Sequence, residues 1–212
     1  MKDVMIVAGE ASGDMHGAAL VAAMKEIDPT LHFFGVGDQA LAEQGVDILY
    51  RSRQIAVVGI VEVLTHWRPI RDALAGLSRR LVEKTPRLLI LIDFPDFNLI
   101  LARRAKKLGI PVFYYISPQV WAWRSGRVKT IARLVDRLAV ILPFEEEFYH
   151  SRGVEHVTFV GHPLVDSVRS EMHPGQFRKQ VGLDAEGTVI GILPGSRKRE
   201  ITSILPDFVK TA

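Results

Sequence analysis

Short continuous apolar runs alternate along this chain with longer stretches whose apolar residues recur at helical spacing. The runs at 4–8, 31–36, 88–92, 111–116, 138–142 and 157–160 read as strands, and 88–92 in particular is unbroken rather than alternating, the pattern of a strand buried on both faces. Shorter apolar pieces lie at 47–50 and 56–60. Between them, 16–26, 61–82, 99–108, 124–134 and 144–152 read as helices, with Pro69 as an interruption and Gly109 and Gly153 as stops. Asp38 reads as the cap of a further short helix through Gln44. Strands that alternate with helices across short Gly- or Pro-marked loops predict an α/β fold, a doubly wound, Rossmann-like parallel sheet with right-handed crossovers. Between 166 and 184 the pattern turns polar and irregular around Pro174 and Gly175, and at 188–193 a new apolar run precedes PGSRKREI. Residues 1–166 are therefore expected to form one domain, 167–187 a linker, and 188–212 the truncated start of a second Rossmann-like domain.

Composition removes several function classes. A chain of 212 residues can bury a sizeable core. With no cysteine it has no disulfides or thiolate metal sites, which fits a reducing compartment such as the cytoplasm. No stretch reaches the roughly 18 apolar residues of a membrane span, and MKDVMIVAGEASGD reads as strand and turn rather than signal peptide. The formal net charge is only +3, although cations cluster at Arg124, Arg127, Lys129 and Arg133. These are too few for nucleic acid, and no single-strand-binding signature accompanies them. No His and carboxylate cluster suggests a metal, and no cofactor is expected.

Candidate chemistry gathers where the buried strands end. In open α/β sheets ligands bind beyond the carboxyl ends of the strands. The stretch 87–98, RLLILIDFPDFN, ends an apolar strand in Asp93, Asp96 and Asn98, with Pro95 stiffening the turn between the two acids. One carboxylate could be a base and the other an orienting group, or Asp96 could simply cap the next helix. GEASGD at 9–14 lies between the first strand and first helix; Glu10 and Ser12 suit hydrogen bonding to a sugar, while Ser12 or Asp14 could equally be a helix cap. Trp121 in SPQVWAWR could floor a sugar pocket or pack as core. His162 ends the last strand of the first half and could touch a ligand, though a lone histidine is more often structural. Arg197 follows a Gly turn at the start of a helix, a geometry suited to a diphosphate. In 59–81, apolar Val61, Val63, Leu64, Trp67 and Ile70 stand beside several cations, as in an interfacial membrane helix or in an amphipathic helix packed on the sheet.

Taken together, GEASGD, IDFPDFN, SPQVWAWR, LPFEEEFY, GHPLVD and LPGSR, in this order from Gly9 to Arg197, resemble the lipid A disaccharide synthase family. The resemblance implies an inverting glycosyltransferase of GT-B architecture, two Rossmann-like domains facing a cleft. It implies transfer of diacylglucosamine from a UDP donor to the 6-hydroxyl of diacylglucosamine 1-phosphate. Carried over residue by residue, it implies Asp96 as general base, Glu10 as a second functional carboxylate near the acceptor, Asp93 as a supporting carboxylate and Arg197 as the counter-charge to the departing diphosphate. It further implies that Val61, Val63, Leu64, Trp67 and Ile70 form an exposed patch that meets the anionic cytoplasmic leaflet of the inner membrane. The protein is then cytoplasmic and peripherally membrane-associated, with its oligomeric state open, a homodimer among the options. Other readings are another UDP-N-acetylglucosamine enzyme of the same architecture, epimerase or transferase, and a non-catalytic membrane-surface module.

Overall fold

The computed structural model describes residues 2–55, 60–122, 125–195 and 198–211, without the side chains of residues 53, 54, 60–67, 166, 167, 198 and 199. The chain divides into two compact units, Met1–Ser167 and Val168–Ala212.

The first unit is built on a seven-stranded, wholly parallel sheet of order β3-β2-β1-β4-β5-β6-β7. Its strands are β1 (Lys2–Ala8), β2 (Leu31–Gly37), β3 (Asp47–Arg51), β4 (Leu88–Ile92), β5 (Val112–Tyr115), β6 (Arg137–Val140) and β7 (Val157–Phe159). Burial on both faces explains the unbroken apolar runs. Val4, Ile6 and Ala8 of β1 pack into one layer with Phe33, Ile90 and Ile92, while Met5 and Val7 pack into the other with Leu89, Leu91 and Val112. Each such side chain contributes about 1.5–3 kcal/mol by leaving water.

Helices α1 (Ala11–Ile27) and α2 (Gln39–Glu43) supply Val21 and Leu41 to the first layer. The short α3 (Ser52–Ile55) adds Ile55 to the second layer. So do α4 (Ile60–Lys84), α5 (Pro95–Lys107), α6 (Val128–Leu134) and α7 (Pro143–His150), through Ala73, Leu77 and Leu81, Leu101 and Ala105, Ile131, and Tyr149. The four-residue α8 (Leu164–Ser167) closes the unit.

Three elements differ from the sequence expectation. Helix α4 runs through Pro69 without a break: Ala73, Leu77 and Leu81, spaced by four, hold its second half on the sheet, and this packing outweighs the one missing backbone donor. Helix α5 begins at Pro95, a full turn before residue 99, because proline is pre-set for the first helical position. The expected helix over 124–134 is a 3₁₀ turn, Ser125–Arg127, leading into α6.

The second unit comprises α9 (Pro174–Val181) and α10 (Lys198–Thr211). Gly182, at φ +73°, ends α9, and the Arg178 guanidinium donates to the Asp184 and Gly187 carbonyls at 2.9 and 2.7 Å, tying the following loop to the helix. Residues 188–193 form no strand, and Ile190 and Leu193 are exposed. A strand of the buried parallel type needs ladder partners and a layer on each face, and among the described residues of this unit none is present.

Candidate functional site

The strand order reverses its direction of growth between β1 and β4: successive strands are added outward from β1 to β3 on one side and from β4 to β7 on the other. Such a switch point opens a crevice beyond the strand ends, because the two connections leave in opposite directions. Ala8 and Ile92, the last residues of β1 and β4, are register partners. The Gly9–Asp14 turn and the Asp93–Asn98 turn therefore face each other across the crevice mouth.

The two turns touch through Phe94. A Cβ on Gly9 would lie 2.4 Å from the Phe94 ring, so only glycine admits the ring at this place. Phe94 stacks in turn on Phe97, with ring centroids 5.3 Å apart. Asp93 and Phe94 both adopt left-handed backbone, at φ +45° and +46°. Each such non-glycine residue costs on the order of 1–3 kcal/mol, so the surroundings must hold the turn. They do: the Tyr114 hydroxyl donates to the Asp93 carbonyl at 2.5 Å, and the Asn98 amide donates to the Asp93 and Ile92 carbonyls at 2.7 and 3.2 Å. Burial, and after it the charge of Asp93, push the Tyr114 phenol far above its ordinary value, so it remains a donor.

The turn removes the helix-cap reading of Asp96. The cap position of α5 belongs to Phe94, Pro95 opens the helix, and Asp96 lies inside the first turn, so it is not the cap. Its side chain is 73 % exposed and is ion-paired with the Arg127 guanidinium. A carboxylate there also gains from the positive end of the helix dipole. Asn98, by contrast, is fully buried. Its amide nitrogen latches the turn, so the side chain helps to hold the crevice wall.

On the β1 side, Glu10 is half-buried in extended backbone at the cap position of α1, and makes no side-chain capping bond there. Ser12 is exposed on the next turn. Asp14 caps neither itself nor α1. It is buried and accepts the backbone N–H groups of Asp38, Ala40 and Leu41 at 2.6, 2.9 and 3.4 Å, so it caps α2 from across the fold. Asp38 is left to accept the Ser52 hydroxyl and gives α2 no side-chain cap.

Further along the strand ends, the Trp121 indole N–H donates at 3.1 Å to Glu145, a buried carboxylate that also accepts the Ile141 and Leu142 N–H groups at 3.2 and 3.0 Å. The ring packs edge-on against Phe144. Trp121 thus spends its polar handle on anchoring the loop after β5. Ser117 and Tyr149 make a second anchor, hydroxyl to hydroxyl at 2.5 Å; burial pushes the Tyr149 phenol up to about 12. His162 is half-buried and accepts the Leu164 N–H on Nδ1 at 3.2 Å, which leaves the proton on Nε2 when the ring is neutral. His16 of α1 titrates below its ordinary value, through burial first and then the nearby His162. The two imidazoles therefore share one stretch of the crevice rim.

Ile70 is half-buried and packs against the second core layer rather than standing in an exposed patch. Arg197 and the side chains of Val61, Val63, Leu64 and Trp67 lie outside the described residues. Among the described residues no group of three His, Asp or Glu side chains could hold a metal, and no helix is long and apolar enough to cross a membrane. The residues that sequence reasoning missed are Arg127, Tyr114 and Glu145. A basic run, a β5 aromatic and a helix-start acid were their only local signals.

Comparison with solved structures agrees with this architecture. A UDP-N-acetylglucosamine 2-epimerase superposes with a TM-score of 0.61 at 15% identity, covering 85% of this chain and 54% of its own. A Methanocaldococcus jannaschii UDP-GlcNAc 2-epimerase, solved with UDP-GlcNAc and UDP, gives 0.57 at 17% identity, covering 79% of this chain and 48% of its own. Likeness at such identities speaks for the fold. Sequence relatives are far nearer. The lipid-A-disaccharide synthase of Geobacter sulfurreducens is 54% identical over 99% of this chain and 54% of its own length. That of Myxococcus xanthus is 50% identical over the same shares, and that of Coxiella burnetii 42% identical over 99% of this chain and 55% of its own. The chain thus spans about half the length of the curated relatives it matches. The family model for lipid-A-disaccharide synthetase matches residues 4–212, and the chain belongs to that family.

Proposed function

We propose that this chain carries the acceptor side and the general base of an inverting glycosyltransferase that joins two diacylglucosamine units in lipid A assembly. The observation that carries the reading is the strained β4–α5 turn at the sheet's switch point, which presents Asp96 in the first turn of a helix in a chain of this family. Strain held in place by a buried hydroxyl and a buried amide is the mark of a turn kept for its geometry.

In this reaction the Asp96 carboxylate takes the proton of the acceptor's 6-hydroxyl. The freed oxygen attacks the donor's anomeric carbon from the face opposite UDP. The bond from that carbon to the diphosphate oxygen breaks, and UDP leaves with the electron pair. Glu10, across the crevice mouth, orients the acceptor with Ser12; Asp93 supports the turn through its backbone; His162 lines the rim. The Arg197 guanidinium neutralises the departing diphosphate. Residues 188–212 begin the donor domain, with 167–187 as the link to it. No cofactor takes part: charge on the leaving group is met by cations and helix N-termini.

The substrates are UDP-diacylglucosamine and diacylglucosamine 1-phosphate, so the enzyme works against the cytoplasmic leaflet of the inner membrane. Val61, Val63, Leu64 and Trp67 of α4 form the contact, with Ile70 at its packed edge. The exposed Arg68, Arg71, Arg79 and Arg80 on the same helix favour anionic headgroups.

Two measurements test these statements on the full-length protein. Asp96→Asn is expected to lower turnover about 10³-fold while UDP affinity is kept; near-normal turnover removes Asp96 as the base. Replacing Val61, Leu64 and Trp67 by Ser is expected to shift the protein off anionic vesicles in a sedimentation assay, and undiminished binding would assign that face to the core.

A further inference from the structure

We propose that Arg127 is a positioning residue for this transfer, fixing the Asp96 carboxylate in the orientation in which it takes the acceptor proton. The inference rests on the reading of Asp96 as the base. Arg127 ends the 3₁₀ turn Ser125–Arg127 and donates from Nη2 to Oδ1 of Asp96. The two residues are 31 apart in sequence and sit on successive crossovers, after β5 and after β4, so the pair is made by the tertiary structure and not by local chain geometry.

Its burial is lopsided. The Arg127 side chain is 21 % exposed and that of Asp96 is 73 %. The cation is seated and the carboxylate open, as expected of a support beneath a working group. An ion pair with one partner this exposed adds about 0–1 kcal/mol to stability, too little to explain the arrangement as a fold contact. Guanidinium to carboxylate is, however, among the most directional of side-chain hydrogen bonds, because the planar fork fixes the line of approach.

The elements that flank Arg127 are packed. Val128, the next residue, is buried in the second core layer with Ile131. The loop leading to the 3₁₀ turn is anchored at Ser117–Tyr149 and Trp121–Glu145. The charge of Arg127 is also felt at the Tyr114 phenol, which latches the Asp93 carbonyl. Arg127 therefore lies close to the strained turn as well as to the acid that the turn presents, and a small displacement of either would move Asp96 relative to the acceptor hydroxyl.

The test compares Arg127→Gln, Arg127→Lys and Asp96→Asn in the full-length protein, with turnover measured from UDP-diacylglucosamine and diacylglucosamine 1-phosphate. A misplacement of about 1 Å at a reacting group costs roughly 100-fold, so Arg127→Gln is expected to lower kcat by about that factor. The acceptor KM should stay within about threefold, since ground-state binding is untouched. Arg127→Lys keeps the charge but not the fork, and is expected to retain an intermediate kcat. If Arg127→Gln folds poorly, the kcat and KM of Arg127→Lys carry the test. A retained kcat in both Arg127 variants overturns the proposal. So does a loss confined to KM, which would make Arg127 an acceptor ligand instead. The two readings fail separately: an active Asp96→Asn sinks the base, whereas an inactive Asp96→Asn beside a fully active Arg127→Gln sinks only the positioning role.

Discussion

Asp14 and Asp96 are the same residue type in nearly the same place, in the first turn of the helix after β1 and of the helix after β4, and they meet opposite fates. Asp14 is buried and holds three backbone N–H groups around the start of α2. Asp96 is mostly exposed at the crevice and is ion-paired with Arg127. The difference comes from what packs over each. The β2–α2 turn lies over Asp14, because α2 belongs to the same layer as α1. Beside Asp96 lies the 3₁₀ turn that carries Arg127, and the carboxylate remains 73 % exposed. A strand-end acid is structural or functional according to its neighbours, and not according to its motif.

The contrast can be broken most forcefully at Asp14. Asp14→Ala leaves the part-buried backbone donors at residues 38 and 40 and the buried one at residue 41 without their acceptor, and about 3 kcal/mol of stability should be lost on urea unfolding of this chain. Asp96→Ala in the same assay should change stability by no more than about 1 kcal/mol. Equal losses would erase the distinction between the two acids.

A smaller effect sharpens how the two turns are joined. Gly9→Ala drives a methyl group into the Phe94 ring and should cost about 2 kcal/mol. Most of that cost should vanish in a Phe94→Ala background, and simple additivity would mean that the turns are not coupled through this contact.

The smallest effect concerns the rim. His16 should titrate below pH 6.5 by NMR, and His162→Gln should raise its midpoint only in part, because burial is the larger cause. The sign follows from linkage. A histidine whose folded value is depressed favours the unfolded state as pH falls through about 6.5, where the unfolded chain takes up the proton first. His16→Gln should therefore flatten the stability profile between about pH 7 and 5, and an unchanged profile would detach His16 from that slope.

Much of this was legible along the chain. Four of the seven strands, β1, β4, β5 and β6, correspond to unbroken apolar runs, since burial on both faces leaves no polar alternation, while β2 and β7 keep His32 and Thr158 within theirs. The edge strand β3 left a shorter run, at 47–50. The crevice was legible too, because it follows from where apolar runs end in acids. What misled was mostly a contact between distant segments. Asp14 read as a cap of its own helix, since α2 is 25 residues further on. That the Asn98 amide nitrogen is used by the Asp93 carbonyl, and the Trp121 N–H by Glu145, could not be read along the chain. Pro69 read as a break, although the packing of Leu77 and Leu81 carries the helix through.

By itself, then, the sequence determined the α/β class, the family and the loops that carry the candidate chemistry, because hydrophobic period, turn residues and motif order are local properties of a chain. Only the tertiary structure decided which acid is open and which is buried. It also decided that two left-handed residues hold Asp96 out, and that Arg127 lies beneath it. Those outcomes depend on register, layer and close approach, as of Phe94 upon Gly9, and such contacts exist only once strands distant in sequence lie side by side.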